Sequence, residues 1–75
     1  MPTLPAVSGN QVARALRRAG FVRLRRVGSH ATFQHPETRR RTVVKMGSKD
    51  LKAGTLHGIL SQAGITEAEF IALLK

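Results

Sequence analysis

The sequence contains no cysteine, tryptophan or tyrosine, and only four of its 75 residues are acidic. Without cysteine the chain can form neither disulfide bonds nor thiolate metal sites, and it has no cysteine nucleophile. Secreted chains of this size usually need disulfides, so we expect a cytoplasmic protein. No apolar run approaches the roughly 18 residues of a membrane span, and residues 1–7 lack the charged and apolar regions of a signal peptide. We therefore expect a soluble protein without membrane contact.

Aromatic residues are scarce, and the chain is short. Three phenylalanines are its only aromatic residues among 41% hydrophobic ones. A chain of this length has room for one domain, 1–75, which buries only about 60% of the surface of the unfolded chain. The core must therefore come mainly from Leu, Val, Ile and Ala, and we expect modest stability.

Positive charge is what the sequence has in excess. Thirteen Lys and Arg give a formal net charge of +9, and twelve of them lie within residues 14–52 beside only two acids, Glu37 and Asp50. Residues 53–75 are slightly acidic. Such an imbalance exceeds what solubility requires and favours a polyanionic partner, which points to nucleic acid.

The first helix is predicted from its two ends. Ser8 and Gln11 have the spacing of a capping box, and Gly20 has the place of a left-handed residue after a helix. These signals predict a helix over about 9–19. It carries Arg14, Arg17 and Arg18 off its apolar stripe.

The C-terminal third predicts two more helices. Apolar residues recur at helical spacing over about 53–63, and Gly64 supplies a stop. Thr66 and Glu69 form a second capping box, which opens a short terminal helix. That helix carries Phe70, Leu73 and Leu74, which we assign to the core or, alternatively, to a partner interface.

Between the helices the apolar period changes to two. Residues 21–35 alternate around Gly28 and predict a β-hairpin, and 36–39 supplies turn residues before a third strand over about 40–45. We therefore predict an α+β fold with a three-stranded antiparallel sheet packed by helices, in the order α-β-β-β-α plus a short C-terminal helix. One sheet face should pack under the helices, and the other should present His30, Thr32, Gln34 and arginines to solvent.

The three histidines do not predict a metal site. His30 and His35 differ by an odd number of positions and should point to opposite faces of the sheet, while His57 lies on the later helix. Ser29 has neither a Gly-x-Ser-x-Gly elbow nor an orienting acid, so a serine hydrolase is also disfavoured. The glycines form no phosphate-binding loop. We expect no metal and no cofactor.

An imidazole on a cationic sheet suits RNA cleavage, because RNA supplies its own nucleophile, the 2′-hydroxyl. The protein then needs a group that titrates near neutrality and cations that hold the phosphate. His30 is our catalytic candidate, although an exposed histidine could equally contact phosphate or stack on a base. The candidate RNA-binding cations, on flanking strands, are Arg23, Arg25, Arg26 and Lys45.

An ordered set of short motifs carries a resemblance over about residues 8–74. The motifs are Ser8-Gly9, Ala19-Gly20-Phe21, Gly28-Ser29-His30 with Phe33, His35-Pro36, Leu51-Lys52-Ala53-Gly54-Thr55-Leu56 and Ile59-Leu60-Ser61-Gln62-Ala63-Gly64. In this order and spacing the chain resembles the HicA family of bacterial toxins. The resemblance implies a double-stranded-RNA-binding-like fold, a toxin that cleaves messenger RNA, a catalytic histidine at His30 and a HicB-type antitoxin that masks the active site.

The chain departs from the family at the end of the third strand. Many similar members have a Pro-x-His segment there, and alignment puts Val44 at the proline and Met46 at the histidine. If that second histidine assists catalysis elsewhere, the acid role here falls to water, Lys45 or His35. His35 precedes Pro36 and is more typical of a turn residue.

Two other functions compete with a nuclease. A non-catalytic RNA-binding module would share the fold and the basic face, and the missing second histidine favours it. A DNA-binding subunit would use the arginines of the first helix along a duplex, but no recognition-helix pattern supports it.

Overall fold

The structure is a computed structural model that describes residues 4–75. Residues 1–3 lie outside this range. They are part of the predicted domain 1–75 and of the segment 1–7 that was considered as a signal peptide. The elements of the structure, in chain order, are α1 (Gly9–Arg18), β1 (Val22–Val27), β2 (His30–Gln34), β3 (Arg41–Lys45), α2 (Ala53–Ala63) and α3 (Glu67–Leu73). This order confirms the predicted α+β fold. None of the helices within residues 4–75 has the length and apolar character needed to cross a membrane.

Both predicted capping boxes are present. The Ser8 side chain accepts from the backbone N–H of Gln11, and the Gln11 side chain accepts from the backbone N–H of Ser8. Thr66 and Glu69 make the same pair of bonds at the start of α3. Each box satisfies two backbone donors that the first helical turn would otherwise leave without partners.

The three strands form one antiparallel sheet in the order β1-β2-β3. Its core face consists of Ala31 and Phe33 from β2 and Thr42 and Val44 from β3, all of them buried. Helices α1 and α2 pack on this face, and α3 adds Phe70 beside α1. Leu73 and Leu74, which were assigned to the core or to an interface, are half-buried and pack against the core.

Strand β1 is one of the two edge strands of the sheet, and all six of its residues are exposed. The helices pack mainly on β3, so β1 extends beyond the layer that they form. The alternation of Val22 and Leu24 with arginines therefore does not bury an apolar side of this strand.

His35 organises the turn between β2 and β3. Its Nδ1 accepts from the backbone N–H groups of Glu37 and Thr38 at 3.1 and 3.3 Å, and its ring meets Phe21 edge-on with centroids 5.3 Å apart. The same turn holds Arg39 in the left-handed region with φ 67°. His35 is therefore a turn residue, as the sequence indicated.

Candidate functional site

The face of the sheet opposite the helices is open to solvent, and we call it the open face. The register sets His30 opposite Val27 and Lys45, Thr32 opposite Arg25 and Val43, and Gln34 opposite Val22 and Arg41. Residues paired across antiparallel strands point to the same side of the sheet. The open face therefore combines an imidazole, three cations, two uncharged polar side chains and three valines.

His30 is the first residue of β2, directly after the β1–β2 turn, and it is exposed. Lys45 lies directly across from it on β3, where opposed Cβ atoms are roughly 5 Å apart. Arg25 lies diagonally across on β1, at roughly 7–8 Å. The imidazole thus lies between two cations at one end of the open face.

The N-terminus of α1 fixes this end of the sheet. The backbone N–H of Met46 donates to the Ser29 carbonyl at 2.6 Å, which joins the segment after β3 to the β1–β2 turn. Gly9 packs so closely against the Lys45 carbonyl that a Cβ atom at this position would overlap its oxygen. The Asn10 side chain also accepts from the Gly47 N–H at 3.3 Å. Glycine at position 9 therefore lets α1 hold the backbone that carries Lys45.

The predicted RNA-binding cations divide between the two sides of the sheet. Arg25 and Lys45 lie on the open face with His30. Arg23 and Arg26 pair with Phe33 and Ala31, so they project from the other side, where β1 extends beyond the helices. Arg26 also donates from Nε to the Gly28 carbonyl at 2.9 Å and thereby braces the turn before Ser29 and His30.

The cause of this division is a β-bulge at Leu24. Arg23 pairs with Phe33 but Arg25 pairs with Thr32, so Leu24 is the extra residue. A bulge sets two residues against one and reverses the facing of every residue beyond it. Without the bulge, Arg26 would face His30; with it, Val27 does.

Two other arginines, Arg18 and Arg40, have structural partners. Arg18 donates from Nη1 to the Leu73 and Lys75 carbonyls at the end of α3, at 2.8 and 2.6 Å. The Arg40 side chain packs over Gly64 at the end of α2. All three α1 arginines considered for duplex binding are exposed, but the guanidinium of Arg18 is bonded to the end of α3.

Acidic residues do not neutralise the basic side chains. Within residues 4–75 the one contact of a carboxylate with a basic side chain within 4 Å joins Glu67 Oε1 to His57 Nδ1 at 3.4 Å, between α2 and α3. That histidine lies on a helix, away from the open face. Met46 is half-buried and packs against the core.

The part of the chain that the structure describes gathers no three His, Asp or Glu side chains that could hold a metal ion. His35 is committed to its turn and His57 to Glu67. His30 is therefore the histidine whose surroundings on the open face suit contact with a polyanion.

A scan against protein-family models matches residues 9–65 to the family described as HicA toxin of bacterial toxin-antitoxin. The chain belongs to the HicA toxin family. The match covers α1, the whole sheet and α2, and thus all of the open face. A search of the curated proteins finds no match. As a family member, this HicA protein is the toxin of a toxin–antitoxin pair, and an antitoxin is its partner.

Sequence reasoning missed two features of this HicA site. Arg41 is exposed on the open face, opposite Gln34. Counting back in steps of two from Lys45 would have found it, because Arg41, Val43 and Lys45 share one side of β3. Leu24 carries no comparable signal, since nothing in the run Val22–Val27 marks the bulged residue.

Proposed function

We propose that this HicA protein is a metal-independent endoribonuclease that cleaves messenger RNA, with His30 as the catalytic residue. The observation that carries the proposal is the exposed imidazole of His30 with Lys45 opposite it and Arg25 diagonal to it. The cations would hold the scissile phosphate and stabilise the charge that develops on it. Membership of a toxin family supports a destructive activity of this kind.

The proposed reaction uses the nucleophile of the substrate. The 2′-oxygen attacks the neighbouring phosphorus, a P–O2′ bond forms, and the P–O5′ bond breaks. A base removes the 2′-hydroxyl proton and an acid protonates the leaving 5′-oxygen, so the products are a 2′,3′-cyclic phosphate and a 5′-hydroxyl. The imidazole of His30 serves in one of these two proton transfers. Water or Lys45 serves in the other, because Met46 replaces the family's second histidine.

The test is cleavage of long single-stranded RNA in excess EDTA. Wild-type protein should cut it, and His30→Ala should reduce the rate by about 10²–10⁴-fold, as loss of general acid–base catalysis does. His57→Ala is the matched control, because it removes a histidine outside the open face. Equal cutting by wild type and His30→Ala would remove His30 from the mechanism.

The alternative function is a non-catalytic RNA-binding module, which Met46 in place of a histidine favours. An oligonucleotide of DNA with one internal ribonucleotide separates the two functions. The nuclease should cut only after the ribonucleotide and leave a 2′,3′-cyclic phosphate, whereas the binding module leaves the strand intact. Cutting at deoxynucleotides would contradict the proposed mechanism.

We also propose that a HicB-type antitoxin masks the active site and that the toxin acts in the cytoplasm, where messenger RNA is translated. The positive charge around the open face favours an antitoxin with acidic side chains on its contact surface. RNA and antitoxin should then compete for the toxin.

A further inference from the structure

The β-bulge leaves a hollow in the open face, one row of residues away from His30. It is lined by Leu24 and Arg25 from β1, Thr32 from β2, and Arg41 and Val43 from β3. Thr32 lies two residues along β2 from His30, a separation of roughly 7 Å. The bulge sets both Leu24 and Arg25 against Thr32, so an aliphatic side chain and a guanidinium border the same depression.

The hollow holds two of the four large apolar side chains that are exposed in the described part of the chain. The large hydrophobic residues exposed within residues 4–75 are Val22 at 53%, Leu24 at 50%, Val27 at 63% and Val43 at 46%. All four lie on β1 or β3, and the register sets the valines on the open face. Of these four, Leu24 and Val43 border the hollow, and in a chain with so few large core residues two exposed aliphatic side chains around one depression indicate a ligand.

The lining suits an unpaired nucleobase. Leu24 and Val43 offer apolar surface to the face of a base, and guanidinium planes such as those of Arg25 and Arg41 stack on bases. The Thr32 hydroxyl can donate to or accept from a base edge. Bases inside a duplex are stacked and cannot enter, so a base site here would select single-stranded RNA.

We propose that this hollow binds one unpaired base next to the cleaved linkage and gives the toxin a base preference. The proposal deepens the proposed nuclease function and rests on it for the position of the cut. The phosphate beside that base would lie toward His30, Lys45 and Arg25. A protein segment could cover the same aliphatic side chains, but the arginines on both sides of the hollow favour an anionic strand.

Two substitutions on this solvent-exposed face test the base site. Leu24→Ser removes apolar surface, and Thr32→Val removes the hydroxyl at nearly constant shape. In a His30→Ala background, affinities for short oligonucleotides of uridine, cytidine or adenosine should differ. Leu24→Ser should lower the affinity for the preferred oligonucleotide by about fivefold to tenfold, which is the lower part of the range for loss of one stacked base. Thr32→Val should reduce the differences in affinity among the uridine, cytidine and adenosine oligonucleotides.

The matched control is Val22→Ser. Val22 lies on the same strand and is as exposed as Leu24, but it does not line the hollow. It should change neither affinity nor base preference. Duplex RNA should bind the control and Leu24→Ser equally well.

Cleavage of a random single-stranded pool completes the test. Wild type should enrich one base class beside the cut, and Leu24→Ser should flatten that enrichment. If Leu24→Ser and Thr32→Val both kept the wild-type RNA affinity and base preference, the base site would be overturned. The same holds if these variants weakened only the binding of the antitoxin. A wild type that cuts without preference also overturns it and leaves the nuclease standing. A wild type that never cuts but discriminates the oligonucleotides overturns only the nuclease.

Discussion

At the scale of single residues, His35 has its acceptor nitrogen occupied by two backbone amides and its ring against Phe21. We expect His35→Ala to lower the free energy of unfolding by about 2 kcal/mol, through the lost acceptor and the lost aromatic pair. His35→Asn keeps an acceptor oxygen where Nδ1 lies, so its free energy of unfolding should fall clearly less than that of His35→Ala. Urea denaturation measures both variants. Equal losses would mean that the hydrogen bonds do not stabilise the turn.

The same variant tests whether His35 takes part in cleavage beside His30. His35→Asn should cleave RNA at the wild-type rate at temperatures where it is folded, because the turn lies at the other end of β2 from His30. A large rate loss in a fully folded His35→Asn protein would instead give His35 the acid role that Met46 leaves open.

Arg39 is the non-glycine residue with a left-handed backbone in residues 4–75. That conformation costs a residue with a Cβ atom roughly 1–2 kcal/mol. Arg39→Gly should therefore be more stable than Arg39→Ala by about 1 kcal/mol, although both variants lose the same charge. Chemical denaturation of the two variants gives this difference directly. If Arg39→Ala were more stable than Arg39→Gly, the left-handed backbone at residue 39 would not be strained.

At the scale of elements, the end of α2 depends on Gly64, which has φ 72° and lies under Arg40. An alanine Cβ would lie 2.7 Å from Arg40 Nε. We expect Gly64→Ala to destabilise the protein by about 1–3 kcal/mol through backbone strain and displacement of the arginine. Thermal and urea unfolding measure the loss.

Gly58 provides the comparison within the same helix. It lies inside α2, and a Cβ there would meet nothing within 4 Å. Gly58→Ala should stabilise the protein by about 0.5–1 kcal/mol, because alanine loses less backbone entropy in a helix. If Gly58→Ala and Gly64→Ala both stabilised the protein, helix propensity rather than the left-handed backbone at Gly64 would determine the effect of alanine in α2.

Element by element, the sequence predicts what local chemistry determines. Capping residues and apolar spacing identify the helices and their ends, because the partners lie within four residues of each other. The bulge at Leu24 depends instead on how β1 pairs with a strand already packed on the core. It decides that Arg25 and Val27, and not Arg26, join His30. The contact between Arg40 and Gly64 joins residues far apart in sequence and gives no local signal.

At the scale of the whole molecule, we expect a formal net charge of +9 to make folding and the proposed RNA binding respond oppositely to salt. Repulsion among the basic residues opposes the compact state, and salt screens it. Raising the ionic strength from about 0.01 M to 0.1 M, where the Debye length falls from roughly 30 to 10 Å, should therefore raise the free energy of unfolding. A Lys49→Gln, Lys52→Gln double variant should respond less. A fold that weakens with salt would contradict the repulsion.

RNA binding should weaken over the same range. Contacts from Arg25, Arg41 and Lys45 to three phosphates of a single strand predict a slope of log affinity against log salt of roughly −2. Replacing one of these cations by alanine should reduce the slope by about 0.7. Arg23→Ala provides the comparison, since Arg23 projects from the other side of the sheet. An equal change of slope for Arg23 would mean that RNA wraps around the β1 edge.

The exposed edge of β1 affects how readily the protein aggregates and which substitutions can weaken its activity without causing aggregation. An unpaired strand edge with aliphatic side chains is a template on which further copies can add, and closely spaced positive charges keep them apart. We therefore expect the arginines of β1 to oppose self-association whether or not each one touches RNA. A toxin weakened by losing them would tend to aggregate, so attenuation without loss of soluble protein is better sought at His30 or in the hollow.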